Sequence, residues 1–141
     1  METRDKALEW QEALPKPIRT VWESVCKAVA AENFPLVPHG TRTLVNRVAR
    51  DLAGATDDTS FAESVKALSQ GGFISSRDEE RLQVVVEAGN AVVHRELDLT
   101  GDHARVLVHI VENLLRSAYF PQEAVDAVRK AIPPRLPSGK R

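Results

Sequence analysis

Glu87, Asn90 and His94 are spaced three and then four residues apart in the segment GGFISSRDEERLQVVVEAGNAVVHRELD. At ~100° per residue that spacing puts a carboxylate, an amide and an imidazole in one narrow stripe of a helix. Such a trio can hold an imidazole in one tautomer and let it move protons near neutral pH, which is the work of general acid–base catalysis. The same residues have a plain structural reading. A histidine in a last helical turn is favoured by the helix dipole, and a glutamate and an asparagine on a polar face are ordinary solvated or capping groups. Spacing alone leaves both readings open.

Other familiar chemistries fail on spacing. His39, His94, His103 and His109 include no pair four residues apart, so none supplies two ligands from one helical face, and no metal site is expected. Gly71-Gly72 is followed by no lysine where a phosphate-binding loop requires one, and no cofactor is expected. Cys26 is the single cysteine, which excludes an internal disulfide; within an apolar helix it reads as a buried, inert thiol. Arg105, His109, Glu112 and Arg116 recur at i, i+4, i+7 and i+11. If their helix lies beside the motif helix, this second stripe would border His94 and bring cations to it. Otherwise it is a solvated face whose Glu112/Arg116 pair contributes ~0.3–0.5 kcal/mol.

The elements that must position these residues are helices. Aromatic residues are only 5% of the chain, and apolar residues recur at helical rather than alternating spacing, which predicts an all-α fold. Six helices are expected. The first covers 17–33, with Ile18, Val21, Trp22, Val25 and Val29 as its stripe; the loop PLVPHG follows. The second, 41–52, has Thr41 as N-cap, Leu44, Val45, Val48 and Leu52 as its stripe, and Gly54 as its stop. The third, 60–69, ends at Gly71-Gly72. The fourth opens on a capping box at Ser76 and Glu79, carries Leu82, Val86, Gly89 and Val93 on one face, and ends at His94. Thr100, Gly101 and Asp102 restart the chain into a fifth, 102–119, the most apolar, with Leu114 in its core face; the sixth covers 122–132. The short connection between the fourth and fifth makes them an antiparallel central pair.

One domain, 1–132, fits a 141-residue chain with 43% apolar and 28% charged residues, and the Pro-rich, basic end 133–141 reads as a disordered tail. The net charge of −1 gives no global field to recruit nucleic acid, so any RNA contact must come from a local patch. No stretch approaches the ~20 apolar residues of a membrane span. The charged start METRDKALEW has no apolar core of a signal sequence, and a cytoplasmic location is expected.

Gly89-Asn90-Ala91-Val92-Val93-His94, preceded by Leu68, Gly72 and Ile74 and followed by Leu114-Leu115, resembles the bacterial domain-of-unknown-function family 4145, a branch of the HEPN superfamily of small helical domains. The likeness runs from Leu14-Pro15 to Tyr119, and Arg42-Thr43-Leu44-Val45-Asn46 is similar to the family's R-x-L-x-E segment, with Asn46 where an acid is usual. The resemblance implies a HEPN-like helical bundle that dimerises, with the motif helix at a shared cleft.

Many HEPN domains are metal-independent ribonucleases of toxin–antitoxin or defence systems that use an R-x(4–6)-H motif. Here the arginine positions before His94 hold Glu87, Ala88 and Gly89. Losing a cation that stabilises a developing oxyanion costs roughly 3 kcal/mol or more. Arg42, Arg47, Arg95 and Arg105 are the candidates to replace it and contact substrate, with His94, Asn90 and Glu87 as the candidate catalytic set. The expected function is therefore a homodimeric binding or assembly module of a bacterial defence or RNA-associated system. Its candidate partners are RNA, a nucleotide or a larger defence or restriction protein. The alternative is an atypical endoribonuclease working through His94.

Overall fold

The computed structural model describes residues 9–136. Among them there are six α-helices and no strand: α1 Lys16–Ala30, α2 Val37–Ala53, α3 Phe61–Gln70, α4 Ser76–His94, α5 Gly101–Ala118 and α6 Gln122–Ala131. Short 3-10 turns, Trp10–Ala13 and Phe34–Leu36, precede α1 and α2. The all-α expectation holds. Of the tail assigned to 133–141, residues 133–136 have no regular structure and the remainder lies outside the described residues.

Local chemistry accounts for most helix ends. Thr100 caps α5, its hydroxyl accepting the His103 amide at 3.1 Å. Gly54 ends α2 in the left-handed region at φ 73°, where an L side chain is strained. α4 is capped by Ser75, whose hydroxyl accepts the Asp78 amide, so the cap lies one residue before the expected Ser76. The true capping box opens α3. The Glu63 amide donates to the Ser60 hydroxyl at 3.1 Å, and the Ser60 amide donates to the Glu63 carboxylate at 2.9 Å. Those bonds, with the backbone one first, hold the Glu63 carboxyl below its usual range.

The largest departure is α2, which starts at Val37 rather than Thr41. The PLVPHG stretch looks like a loop, but Pro38 falls in the first turn, where its missing N–H is harmless. Thr41 is buried, not capping, and its hydroxyl donates to the Pro38 carbonyl at 3.0 Å. The extra turn makes α2 the hub of the bundle, packed against α1, α3, α4 and α5. α4 and α5 pack on each other, but the central position expected of that pair belongs to α2, which lies against both of them as well as α1 and α3. The core gathers Ile18, Trp22 and Val25 from α1, Leu44, Val45 and Val48 from α2, Val65 and Leu68 from α3, Leu82 and Val85 from α4, and Leu107, Val111, Leu114 and Leu115 from α5. On α4 the inward face thus includes Val85, whereas Val93, expected on that face, is 65% exposed because it lies near the helix end.

The far ends of α2 and α5 are tied by Tyr119, whose hydroxyl donates to Asp51 at 2.7 Å. Burial first, then that hydrogen bond and the Asp51 charge, push the Tyr119 phenol well above its usual 10.0. A raised pKa favours the protonated folded form, so its stabilisation is full below pH 10.0 and fades above it. Tyr119 is the only tyrosine, which makes an ultraviolet phenolate titration site-specific. The native midpoint is expected above 10.0, and lower, though still raised, in Asp51→Asn, because burial is the larger cause. A midpoint at the ordinary value in the native protein would refute the contact.

Candidate functional site

α4 carries the motif trio to the surface. Glu87, Asn90 and His94 are all exposed, and among the described residues none of their side chains makes a hydrogen bond or ion pair. His94 is the last residue of α4, where the exposed helix carbonyls favour a cation. The stripe they occupy continues into apolar surface, since Val84, Glu87, Ala91 and His94 follow each other at spacings of three, four and three, and Val84 is exposed. The arrangement presents a mixed polar and apolar helix face. It does not by itself orient an imidazole for proton transfer, because nothing on the face fixes the ring's tautomer.

The glycine of the motif has a packing role. A Cβ on Gly89 would lie 3.3 Å from Cδ of Arg42 and 3.9 Å from Cβ of Pro38, so its absence lets α2 cross α4 closely. Arg42 is thus the candidate arginine that the fold lays against the motif helix. Its guanidinium stacks on the Phe61 ring of α3, 5.5 Å from the centroid. Asn46, one turn along α2 from Arg42, has its Oδ1 buried without a hydrogen-bond partner. A carboxylate there, as the R-x-L-x-E segment has it, would require a cation beside it.

The other three arginines lie elsewhere. Arg47 is five residues beyond Arg42, about 140° round α2. It donates from Nη1 to the Pro17 carbonyl at 3.1 Å and lines a cavity of about 510 Å³ with Pro15, Ile18, Arg50 and Asp51. Arg95 is exposed at the C-cap of α4. Arg105 stacks over Phe34, 5.7 Å from the ring centroid, and lies 3.6 Å from Asp102.

The second polar stripe does not border His94. Arg105, His109 and Glu112 line a groove of about 240 Å³ with Trp22, Cys26 and Val29 of α1. Arg116 bonds Glu112 at 2.8 Å and stacks on Trp10, 4.7 Å from the ring centroid, while Trp10 in turn meets Trp22 edge-on at 5.3 Å. α5 meets α4 through a different face, where Ile110, Asn113, Leu114 and Ser117 lie beside Leu82. The stripe therefore serves as an edge for α1 and the first turn.

Cys26 sits at the rim of that groove and is exposed, contrary to the expectation of a core thiol, because the inward face of α1 ends at Val25. Partial desolvation, then the Glu112 and Glu23 charges, push its thiol up, so it stays protonated and weakly nucleophilic near neutral pH. Among the described residues no three His, Cys, Asp or Glu side chains are placed to hold a metal ion, and no helix is long and apolar enough to cross a membrane.

A hub helix clasped by four others, with a glycine-seated crossing and an exposed motif helix, defines a small helical domain with its polar motif on the surface. The sequence model described as "Domain of unknown function (DUF4145)" matches residues 23–137, most of the chain, and the protein belongs to that family. No curated protein and no solved structure matches it.

Proposed function

We propose that this chain is a HEPN-like, non-catalytic binding module of a bacterial defence or RNA-associated system, and that the exposed face of α4 is its contact surface. The observation that carries the reading is the state of the trio: Glu87, Asn90 and His94 are exposed, unpaired and without an arginine on their own helix face. A ribonuclease needs a cation aimed at the charge that develops on phosphorus, and such preorganisation is the largest single contribution to catalysis of this type. A helix stripe that mixes Val84 and Ala91 with Glu87 and His94 is suited instead to recognition, read as anchors at helical spacing. The net charge of −1 adds no long-range attraction for a polyanion.

The expected result is that purified protein shows no chelator-resistant RNA cleavage and that cells tolerate its expression. His94→Ala should leave the melting temperature unchanged, because the side chain is solvated, while weakening retention of whatever the α4 face binds. Robust cleavage abolished by His94→Ala would overturn the reading. The second reading is an enzyme that draws its cation from Arg42, the candidate arginine laid against α4, although its stem meets Gly89 on the inward side of that helix, about 140° round from His94. In that case Arg42→Ala, and not Arg47→Ala or Arg105→Ala, should match the loss at His94.

A further inference from the structure

The cavity of about 510 Å³ between the start of α1 and the last turns of α2 has charged groups on one wall and apolar groups on the other: Arg47, Arg50 and Asp51 from α2, with Pro15, Pro17 and Ile18. Its volume lies within the range of small-molecule sites. At ~100° per residue the three α2 residues span an arc of about 100°, so one helix brings all three to the same space.

Arg47 and Asp51 are four residues apart, the spacing at which opposite charges on a helix meet and pair. Here each is held by something else. Arg47 donates from Nη1 to the Pro17 carbonyl of α1 at 3.1 Å, and Asp51 accepts the Tyr119 hydroxyl at the end of α5 at 2.7 Å. Held apart in this way, both charges line the cavity. Among the described residues Arg47 has no carboxylate partner, so its guanidinium is fixed in place with most of its N–H donors unused. Arg50 pairs with Asp57, but that carboxylate is 87% exposed, and a water-screened pair of this kind is readily exchanged.

The lining selects a ligand by its chemistry. Two guanidiniums three residues apart suit a planar oxyanion, which each can meet with parallel N–H bonds. Pro15, Pro17 and Ile18 beside them offer apolar surface for the rest of the molecule. Asp51 limits how much negative charge can enter. Two arginines against one aspartate leave an excess of one positive charge, which balances a carboxylate but not a phosphate dianion, and a polyanionic backbone is rejected more strongly still.

We propose that this cavity binds a small monocarboxylic acid with an apolar body, its carboxylate held by Arg47 and Arg50 and its hydrocarbon part lying on Pro15, Pro17 and Ile18. None of the residues lining the cavity comes from α4, so the site is independent of what the α4 face binds.

Heteronuclear NMR titration of the full chain with phenylacetate tests this. The comparison probes are phenylacetamide, which lacks the charge, acetate, which lacks the ring, and phenyl phosphate, which carries a dianion. Phenylacetate should shift the amide signals of Ile18, Arg47 and Asp51 with a Kd of roughly 1 mM, the affinity open to a ligand of that size, and each comparison probe should bind about tenfold more weakly or worse. Arg47→Ala and Arg50→Ala should each weaken phenylacetate binding roughly tenfold. Arg47 also ties α2 to α1, so the Arg50 variant, whose side chain is 51% exposed and whose melting curve should be nearly unchanged, keeps the test decisive if the Arg47 variant misfolds. Asp51→Asn, which can still accept from Tyr119, should raise phenyl phosphate binding to at least that of phenylacetate. Phenylacetamide binding as well as phenylacetate would overturn the proposal, as would phenyl phosphate binding more tightly to the wild type. So would an Arg50→Ala variant with undiminished affinity, an Asp51→Asn variant with unchanged preference, or no shift at those amides up to about 20 mM phenylacetate.

Discussion

Leu44→Ala is expected to lower the unfolding free energy by ~2–5 kcal/mol, the largest loss of any single truncation discussed. Leu44 is fully buried on α2, the helix that packs against four others. Truncation removes the transfer energy of the lost methyl groups and leaves a cavity. The cavity term should be near the upper end here because α2 cannot move toward one neighbour without leaving another. For a domain of this size the melting temperature should fall by roughly 6–20 °C, which differential scanning calorimetry reads directly. A drop equivalent to less than ~1 kcal/mol would mean that α2 is not the hub. Leu114→Ala on α5, where the side chain is 4% exposed, should fall in the same class.

The second large effect is an overpacking at the α1–α2 crossing. A Cβ on Gly40 would lie 2.5 Å from Cγ2 of Val25, a buried side chain that is stiff at χ1. Gly40→Ala gains about 1 kcal/mol of helix propensity. The forced shift of Val25 costs ~1–3 kcal/mol, so a net loss of stability is expected. In a Val25→Ala background the obstruction is gone, and the same change should become neutral or stabilising by up to ~1 kcal/mol. The double-mutant cycle isolates the contact, with an interaction energy of ~1–3 kcal/mol. Additive effects would show that α1 and α2 do not cross at this point.

The candidate site was legible in kind more than in arrangement. Glu87, Asn90 and His94 do share one face of one helix, as their spacing dictates, because i, i+3 and i+7 coincide on any α-helix. Whether that face meets a neighbour or water is not encoded in the spacing. The surroundings turned out to be solvent. Similarly, four arginines within reach in sequence could not be ranked, since each lies on a different turn or element. Only Arg42 is laid against the motif helix, and the reason is a contact between α2 and α4 that joins residues far apart in the chain.

Local signals settled the number of helices and most of their ends. Thr100 as a cap, Gly54 in the left-handed region and the apolar stripes of α1 and α5 all depend on neighbours within a turn, which sequence displays directly. The Ser60-Phe61-Ala62-Glu63 capping box is equally local, since both of its hydrogen bonds join residues three apart. Tertiary structure decided the rest. Two prolines and a glycine made the start of α2 look like a loop, and only the burial of Val37, Pro38 and Thr41 against the rest of the bundle offsets their poor propensity. Packing likewise decided that Cys26 and Val93 are exposed and that the Arg105–Arg116 stripe turns toward α1 instead of toward His94. An amphipathic pattern states that a helix has an apolar side; it does not state what covers that side, which for α6 is nothing within the described chain.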